Sequence, residues 1–283
     1  MTGAHAGRAD FGWRARFADL PAGRFSYRVW GEDRDDRMRV VLLHANAGSA
    51  ASWSRVGPAL GDRYQVFALD LRGHGASVRP PTGRYSLREA ADDVVSFLAA
   101  VGAEGAMLVG HSWGAAVALV TVTGAESGQL PPAVSRLVLE DPPVMMSPRL
   151  QREQINRLIR AIALPEDELR EILAVFNADW HTDDVDSLVE GFRHADPAIV
   201  ESLVRDGSRT GSLLPLLGQL TVPTLLIRAN PLRGGLWSDE DWAHARRILP
   251  ACCTTIELHN ASHDVHRSQF NQFIQAVREF AAI

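Results

Sequence analysis

Apolar positions along the chain follow two rhythms. Short continuous apolar runs lie at 39–44, 65–70, 107–111, 136–139 and 222–228; two strand-like pieces at 14–18 and 25–30 precede them, and a further strand is read at 254–258. A continuous apolar run marks a strand buried on both faces. Helical spacing separates most of these runs. The clearest case follows Ser86, where Leu87, Ala90, Val94, Phe97, Leu98 and Val101 line one face and Glu89 completes a capping box. Strands alternating with helices predict an α/β fold, a mostly parallel twisted sheet with helices on both faces.

The alternation stops at 144–217. That stretch has helical pattern only, near 147–162, 166–176, 183–193 and 197–206, with Pro165 and Pro197 as breaks. The rhythm resumes at 222–228, followed by helices near 239–249 and 267–280. The predicted organisation is a core of residues 1–143 and 218–283, with a helical cap of residues 144–217 inserted after the sixth strand. Ligands in such sheets bind outside the carboxyl ends of the strands, so the cap is expected there.

Composition narrows the function classes. Of 283 residues 46% are hydrophobic and 22% charged, the balance of a soluble globular chain. The net charge of −5 and the lack of a basic cluster argue against a nucleic-acid partner. No apolar stretch has the length of a signal peptide or of a membrane span, so a cytoplasmic protein without a membrane partner is expected. Cys252 and Cys253 are adjacent, a spacing unsuited to a structural disulfide or a metal site. No cofactor motif is present, and neither cofactor nor metal is expected. The expected partner is a small-molecule substrate; the pattern leaves the oligomeric state open.

The chemistry concentrates at one turn. The apolar run from Met107 ends in Gly110, His111, Ser112, Trp113 and Gly114, and a small-residue helix follows. G-x-S-x-G between a strand and a helix holds a serine in a strained conformation with Oγ exposed. Glycines at both ends let strand and helix approach closely. The helix N-terminus beyond the serine suits a developing oxyanion.

Four motifs in order resemble the α/β-hydrolases, from about residue 24 to the C-terminus apart from the cap. His44 to Trp53 resembles their oxyanion loop and Asp70 to Ser77 their fourth-strand turn. Gly110 to Gly114 resembles the nucleophile elbow and Ala261 to His266 the histidine loop. The cap position is similar to that of capped esterases, lactonases and C–C-bond hydrolases. Relatives with an aspartate nucleophile, the epoxide hydrolases and haloalkane dehalogenases, are disfavoured because Ser112 holds that position. The resemblance implies a serine–acid–histidine triad with Ser112 as nucleophile and His263 as base, with His259 and His266 as competitors. It implies backbone N–H donors at Asn46 and Trp113 for the oxyanion, and loop-bonding roles for His44 and His74.

Two positions depart from the family pattern. Alanine stands at Ala45, where relatives carry glycine. The loop after strand seven, where relatives carry the acid, has Asn230 and no carboxylate before Asp239. The acid is therefore Asp141, at the end of strand six, or Asp239, or is absent with Asn230 orienting the base. Substrate-binding candidates are Met145, Phe176, Trp180 and Trp237, with Met146, His181, Phe192 and His194 as further pocket residues. The implied activity is hydrolysis, through an acyl-enzyme, of a small or medium, largely apolar ester, lactone, thioester or amide. A non-hydrolytic cyclase, lyase or acyl-transfer enzyme and a ligand-binding protein with a degenerate triad are the alternatives.

Overall fold

The computed structural model describes residues 15–81, 84–124, 134–143, 148–199 and 212–283. Eight strands form one sheet: β1 Arg16–Leu20, β2 Gly23–Trp30, β3 Arg39–Leu43, β4 Gln65–Leu69, β5 Met107–His111, β6 Arg136–Glu140, β7 Thr224–Ala229 and β8 Cys253–Leu258. Their order across the sheet is β1-β2-β4-β3-β5-β6-β7-β8. Only β2 runs antiparallel to its neighbours; β3 to β8 are parallel.

The continuous apolar runs are explained by two cores, one on each face. In β3, Val41 and Leu43 pack on one side and Val40 and Leu42 on the other. The first face is covered by helices α2 (Leu87–Ala100) and α3 (Trp113–Thr123), the second by α1 (Val56–Gly61) and the C-terminal Phe270–Ala281 helix. The capping box forms as predicted: Ser86 Oγ accepts the Glu89 N–H, and the Glu89 carboxylate accepts the Ser86 N–H. The predicted last helix is two pieces. One turn, Val265–Ser268, is separated from Phe270–Ala281 by Gln269 at φ −133°. The hydrophobic spacing runs through both, which hides the break in the sequence.

Between β6 and β7 the described chain contains α4 (Pro148–Ala163), α5 (Glu166–Phe176), α6 (Thr182–His194) and the one-turn helix Leu214–Leu217, with no strand. The helix expected at 197–206 lies largely outside the described residues. This insertion has an apolar cluster of its own, built on Leu169, Val189, Phe192 and Ala195.

The strand order reverses direction between β3 and β5. The β3→β4 connection goes one way across the sheet and the chain continues from β5 the other way. Loops leaving the carboxyl ends of β3 and β5 therefore diverge and leave a crevice, the usual place for a ligand in an open parallel sheet.

Candidate active site

Ser112 sits on that crevice. Its backbone is at φ 51°, ψ −119°, a conformation L-residues hold only under restraint from their surroundings. The restraint is visible. Ser112 N–H donates to Glu140 O at 2.9 Å, and Ser112 O accepts from the N–H groups of Ala115 and Ala116 at 2.9 and 3.0 Å. A Cβ on Gly110 would stand 2.5 Å from Gly114 O, and one on Gly114 would run into the carbonyls of Leu43 and His44. Glycine at these positions lets the first turn of α3 press against both β5 and the end of β3. The Ser112 side chain is partly exposed and makes no capping bond.

The loop after β3 is hung on two buried neutral histidines. His44 Nδ1–H donates to Ala45 O at 2.7 Å, while its Nε2 accepts from Leu71 N–H at 3.0 Å. His74 Nδ1–H donates to Arg72 O, and its Nε2 accepts from Ala47 N–H at 3.1 Å. Each ring thus has one donor and one acceptor nitrogen in use, which requires the neutral form. Burial pushes His44 down to about 4 and His74 to about 3. Asp70 anchors the same loop: Oδ1 accepts from Ala50 N–H at 2.6 Å and Oδ2 from the Ser26 hydroxyl. Among the described residues the N–H groups of Asn46 and Trp113 donate to nothing.

The ends of β6 and β8 bring two acid–histidine pairs together. Asp141, at φ 42°, is fully buried. Its Oδ1 accepts from Ala229 N–H at 3.2 Å, and its Oδ2 accepts from Leu236 N–H at 3.0 Å and from His263 Nδ1–H at 2.7 Å. Burial opposes a charge on His263. The hydrogen bond and charge of Asp141, with Asp264 and Glu140 behind, outweigh it and hold the imidazole above its ordinary value. The neighbouring Glu140 takes His266 instead. Its Oε1 accepts both the backbone N–H and Nδ1–H of His266 at 2.9 Å. Burial raises Glu140 to about 7 and lowers His266 to about 3, so neither favours its charged form. His111 Nε2–H donates to His263 O at 3.1 Å and ties the serine turn to the histidine loop.

The other acid candidates are engaged elsewhere. Asp239 is solvent-exposed at the start of the helix Asp239–Ile248 and pairs with Arg228 at 2.5 Å. Asn230 caps its own turn through Leu232 N–H, and its Nδ2 donates to His259 O at 2.5 Å. His259 is exposed.

The three substrate-binding candidates among the described residues do not form one pocket. Phe176 is 82% exposed at the end of α5, and Trp237 is 1% exposed, packed edge-on against Trp242 in the main core. The first ring faces solvent, and the second belongs to the sheet's packing. Trp180 lies under the Arg267 guanidinium at 5.1 Å. It borders a cleft of about 640 Å³ with Arg55, Arg267 and Gln269, whose lining includes neither Ser112 nor His263. Met145 and Met146 lie outside the described residues. A group with metal-ligand chemistry does exist: His111, Asp264 and His266 have ligand atoms within 4.8 Å of one another. Arg267 already pairs with Asp264 at 2.9 Å, and burial with this guanidinium holds His266 neutral. The group reads as scaffolding for the histidine loop.

Comparison with known proteins agrees with this fold. Residues 39–215, more than half of the chain, match the family model described as alpha/beta hydrolase fold. The chain is an α/β hydrolase. It is 27% identical to N-formylmaleamate deformylase of Pseudomonas putida, over 85% of this chain and 87% of that protein. The crystal structure of E-2-(acetamidomethylene)succinate hydrolase superposes with a TM-score of 0.81 at 22% identity, covering 96% of this chain and all of that one. The enol-lactonase of Burkholderia xenovorans LB400 gives 0.74 at 19% identity, covering 95% and 100%. At these identities the two structures speak for the fold. Among the described residues no helix is long and apolar enough to cross a membrane.

Sequence reasoning missed Glu140 and His111 in this α/β hydrolase. The available signal was a glutamate closing an otherwise apolar strand buried on both faces. The neutral histidines also make the fold sensitive to acid. His44, His74 and His111 stay uncharged in the native state down to about 4, 3 and 3. In the unfolded chain they take up protons near ~6.5. The stability these three contribute is therefore complete above that value and falls as pH drops below it, by roughly 1.4 kcal/mol per pH unit for each histidine, partly offset by Glu140 and His263, whose raised values act in the opposite direction. Thermal melts across pH 5–8 should show Tm flat on the basic side and falling on the acid side. A Tm unchanged between pH 7 and 5 would contradict the neutral assignments.

Proposed function

We propose that this α/β hydrolase cleaves a small or medium, largely apolar ester, lactone, thioester or amide through an acyl-enzyme on Ser112. Asp141, His263 and Ser112 act as the triad, and residues 144–217 serve as the cap over a core of residues 1–143 and 218–283. The observation that carries the reading is Asp141 Oδ2 at 2.7 Å from His263 Nδ1. A carboxylate on Nδ1–H fixes the tautomer in which Nε2 is the free base.

Ser112 Oγ attacks the substrate carbonyl carbon as its proton passes to His263 Nε2. The carbonyl oxygen becomes an oxyanion held by the N–H groups of Asn46 and Trp113, which follow the carboxyl ends of β3 and β5. Collapse of the tetrahedral intermediate breaks the bond to the leaving group, which takes the proton from His263. Water then attacks the acyl-serine, gives its proton to His263, and that proton returns to Oγ as the acid leaves. The deformylase relative removes a formyl group, by its name. That is an acyl transfer to water, which supports this reaction class.

The pH–rate profile tests the assignment of the base. His263 must be neutral to accept the proton, so kcat/KM rises with pH through the pKa of His263. Because that pKa is raised, the acid limb should have its midpoint above ~6.5. With a nitrophenyl ester panel, Asp141→Asn should shift the limb to lower pH, since burial is then opposed only by the more distant charges of Asp264 and Glu140. A parent midpoint well below the ordinary histidine value would remove His263 from this role.

A further inference from the structure

The insertion reaches the loop after β3 backbone to backbone. On α6, a Cβ at Gly191 would stand 2.7 Å from Ala47 O and 2.9 Å from Gly48 Cα. Non-bonded carbons pack at ~3.5–4.0 Å, so only glycine allows this approach. Ala47 is at φ 55°, a left-handed conformation that alanine keeps only where its surroundings impose it. Its methyl is fully buried, and it packs in the insertion's cluster with Leu169, Val189, Phe192 and Ala195, apart from both faces of the sheet. By packing, then, this loop residue belongs to the insertion.

The grip is two-sided. Ala47 N–H is held from the core by His74 Nε2. The turn that carries His74 is held in its own right by the chain leaving α6: Asp196 N–H donates to Gly73 O at 2.9 Å, and the Tyr85 hydroxyl donates to Asp196 Oδ2 at 2.5 Å. Two ion pairs fasten α6 itself, Glu190 to Arg28 at 2.6 Å and Asp184 to Arg55 at 2.5 Å.

We infer that α6 braces the oxyanion donor: Gly191 and Ala47 are positioning residues that fix the backbone carrying the Asn46 N–H, and the donor is aligned only while the insertion is seated. The inference rests on the reading of Asn46 as an oxyanion donor given above. Seating of the insertion then controls the chemical step as well as access to it, because lifting α6 removes the contact that holds Ala47 left-handed.

The test is Gly191→Ala in the full-length protein, with an activated ester and active sites titrated. Its methyl pushes Ala47 O, so kcat should fall by roughly tenfold or more with KM little changed, as for a damaged oxyanion hole. An alkyl boronic acid gives the second readout. Its boron accepts the Ser112 Oγ lone pair, the Oγ proton passes to His263, and one boron-bound oxygen enters the hole. Its Kd should rise by the same factor as kcat falls. Damage to folding alone would lower the titrated fraction and leave kcat per site and boronate affinity intact, which would overturn the inference. Absence of Ser112-dependent turnover in the parent would instead overturn the underlying reading. Should Gly191→Ala not fold, Leu169→Ala leaves a cavity beneath α6. Amide exchange at Ala47 should then accelerate together with the α6 amides, and an unchanged Ala47 rate would overturn the brace.

Discussion

Ser112→Ala is expected to reduce turnover of an activated acyl ester by ~10⁶-fold, the scale on which removal of a serine nucleophile acts in serine proteases. The fold should survive. The Ser112 side chain makes no capping bond and is partly exposed. The positive φ is set by backbone bonds to Glu140, Ala115 and Ala116 that alanine keeps. The circular dichroism spectrum should therefore match the parent's. Turnover that persists at the parental rate would exclude an acyl-enzyme on this residue.

Asp141→Asn is expected to lower turnover by ~10⁴-fold, the loss seen when a triad aspartate in a serine protease becomes asparagine. The reason lies in the donor count around the side chain. Ala229 N–H, Leu236 N–H and His263 Nδ1–H all donate to the Asp141 carboxylate. An amide has only one accepting atom, so its NH₂ must face a donor. If it faces His263, the ring turns to the wrong tautomer. If it faces Ala229, a buried N–H goes unpaired at a cost of about 1–3 kcal/mol. A moderate drop in Tm should accompany the loss of activity. Asp239→Asn should leave turnover unchanged, because Asp239 is exposed and bonds Arg228. The reverse pattern would move the acid to the loop after β7.

Much of this was legible in the residue order. Strands β3 to β7 read clearly because both faces are buried, which removes polar positions from the run. The serine turn read clearly because two glycines, a strand and a helix constrain it locally. The acid did not. Asp141 and His263 are far apart in sequence, and only the parallel pairing of β6, β7 and β8 brings the strand ends together. Spacing alone could not separate Asp141 from Asp239, since neither lies in the usual place. The surroundings of Trp237 and Phe176 were hidden for a related reason. An aromatic residue in a loop or at a helix end carries no mark of whether it turns inward or outward; Trp237 found Trp242, and Phe176 found solvent. Gly191 left a faint trace, a glycine inside a helical pattern, which costs helix stability and so points to a packing need. Its partner, a carbonyl in a loop about 140 residues earlier, was beyond any local reading.

The central claim is that Ser112 Oγ is the acyl nucleophile, and covalent trapping tests it most directly. The protein is treated with a fluorophosphonate, digested, and its peptides are mapped by mass spectrometry alongside Ser112→Ala and His263→Ala. The account predicts one adduct per chain, on the peptide containing Ser112, abolished in Ser112→Ala and strongly slowed in His263→Ala. An adduct on another residue, or ester turnover by a protein whose Ser112 stays unmodified, would contradict it.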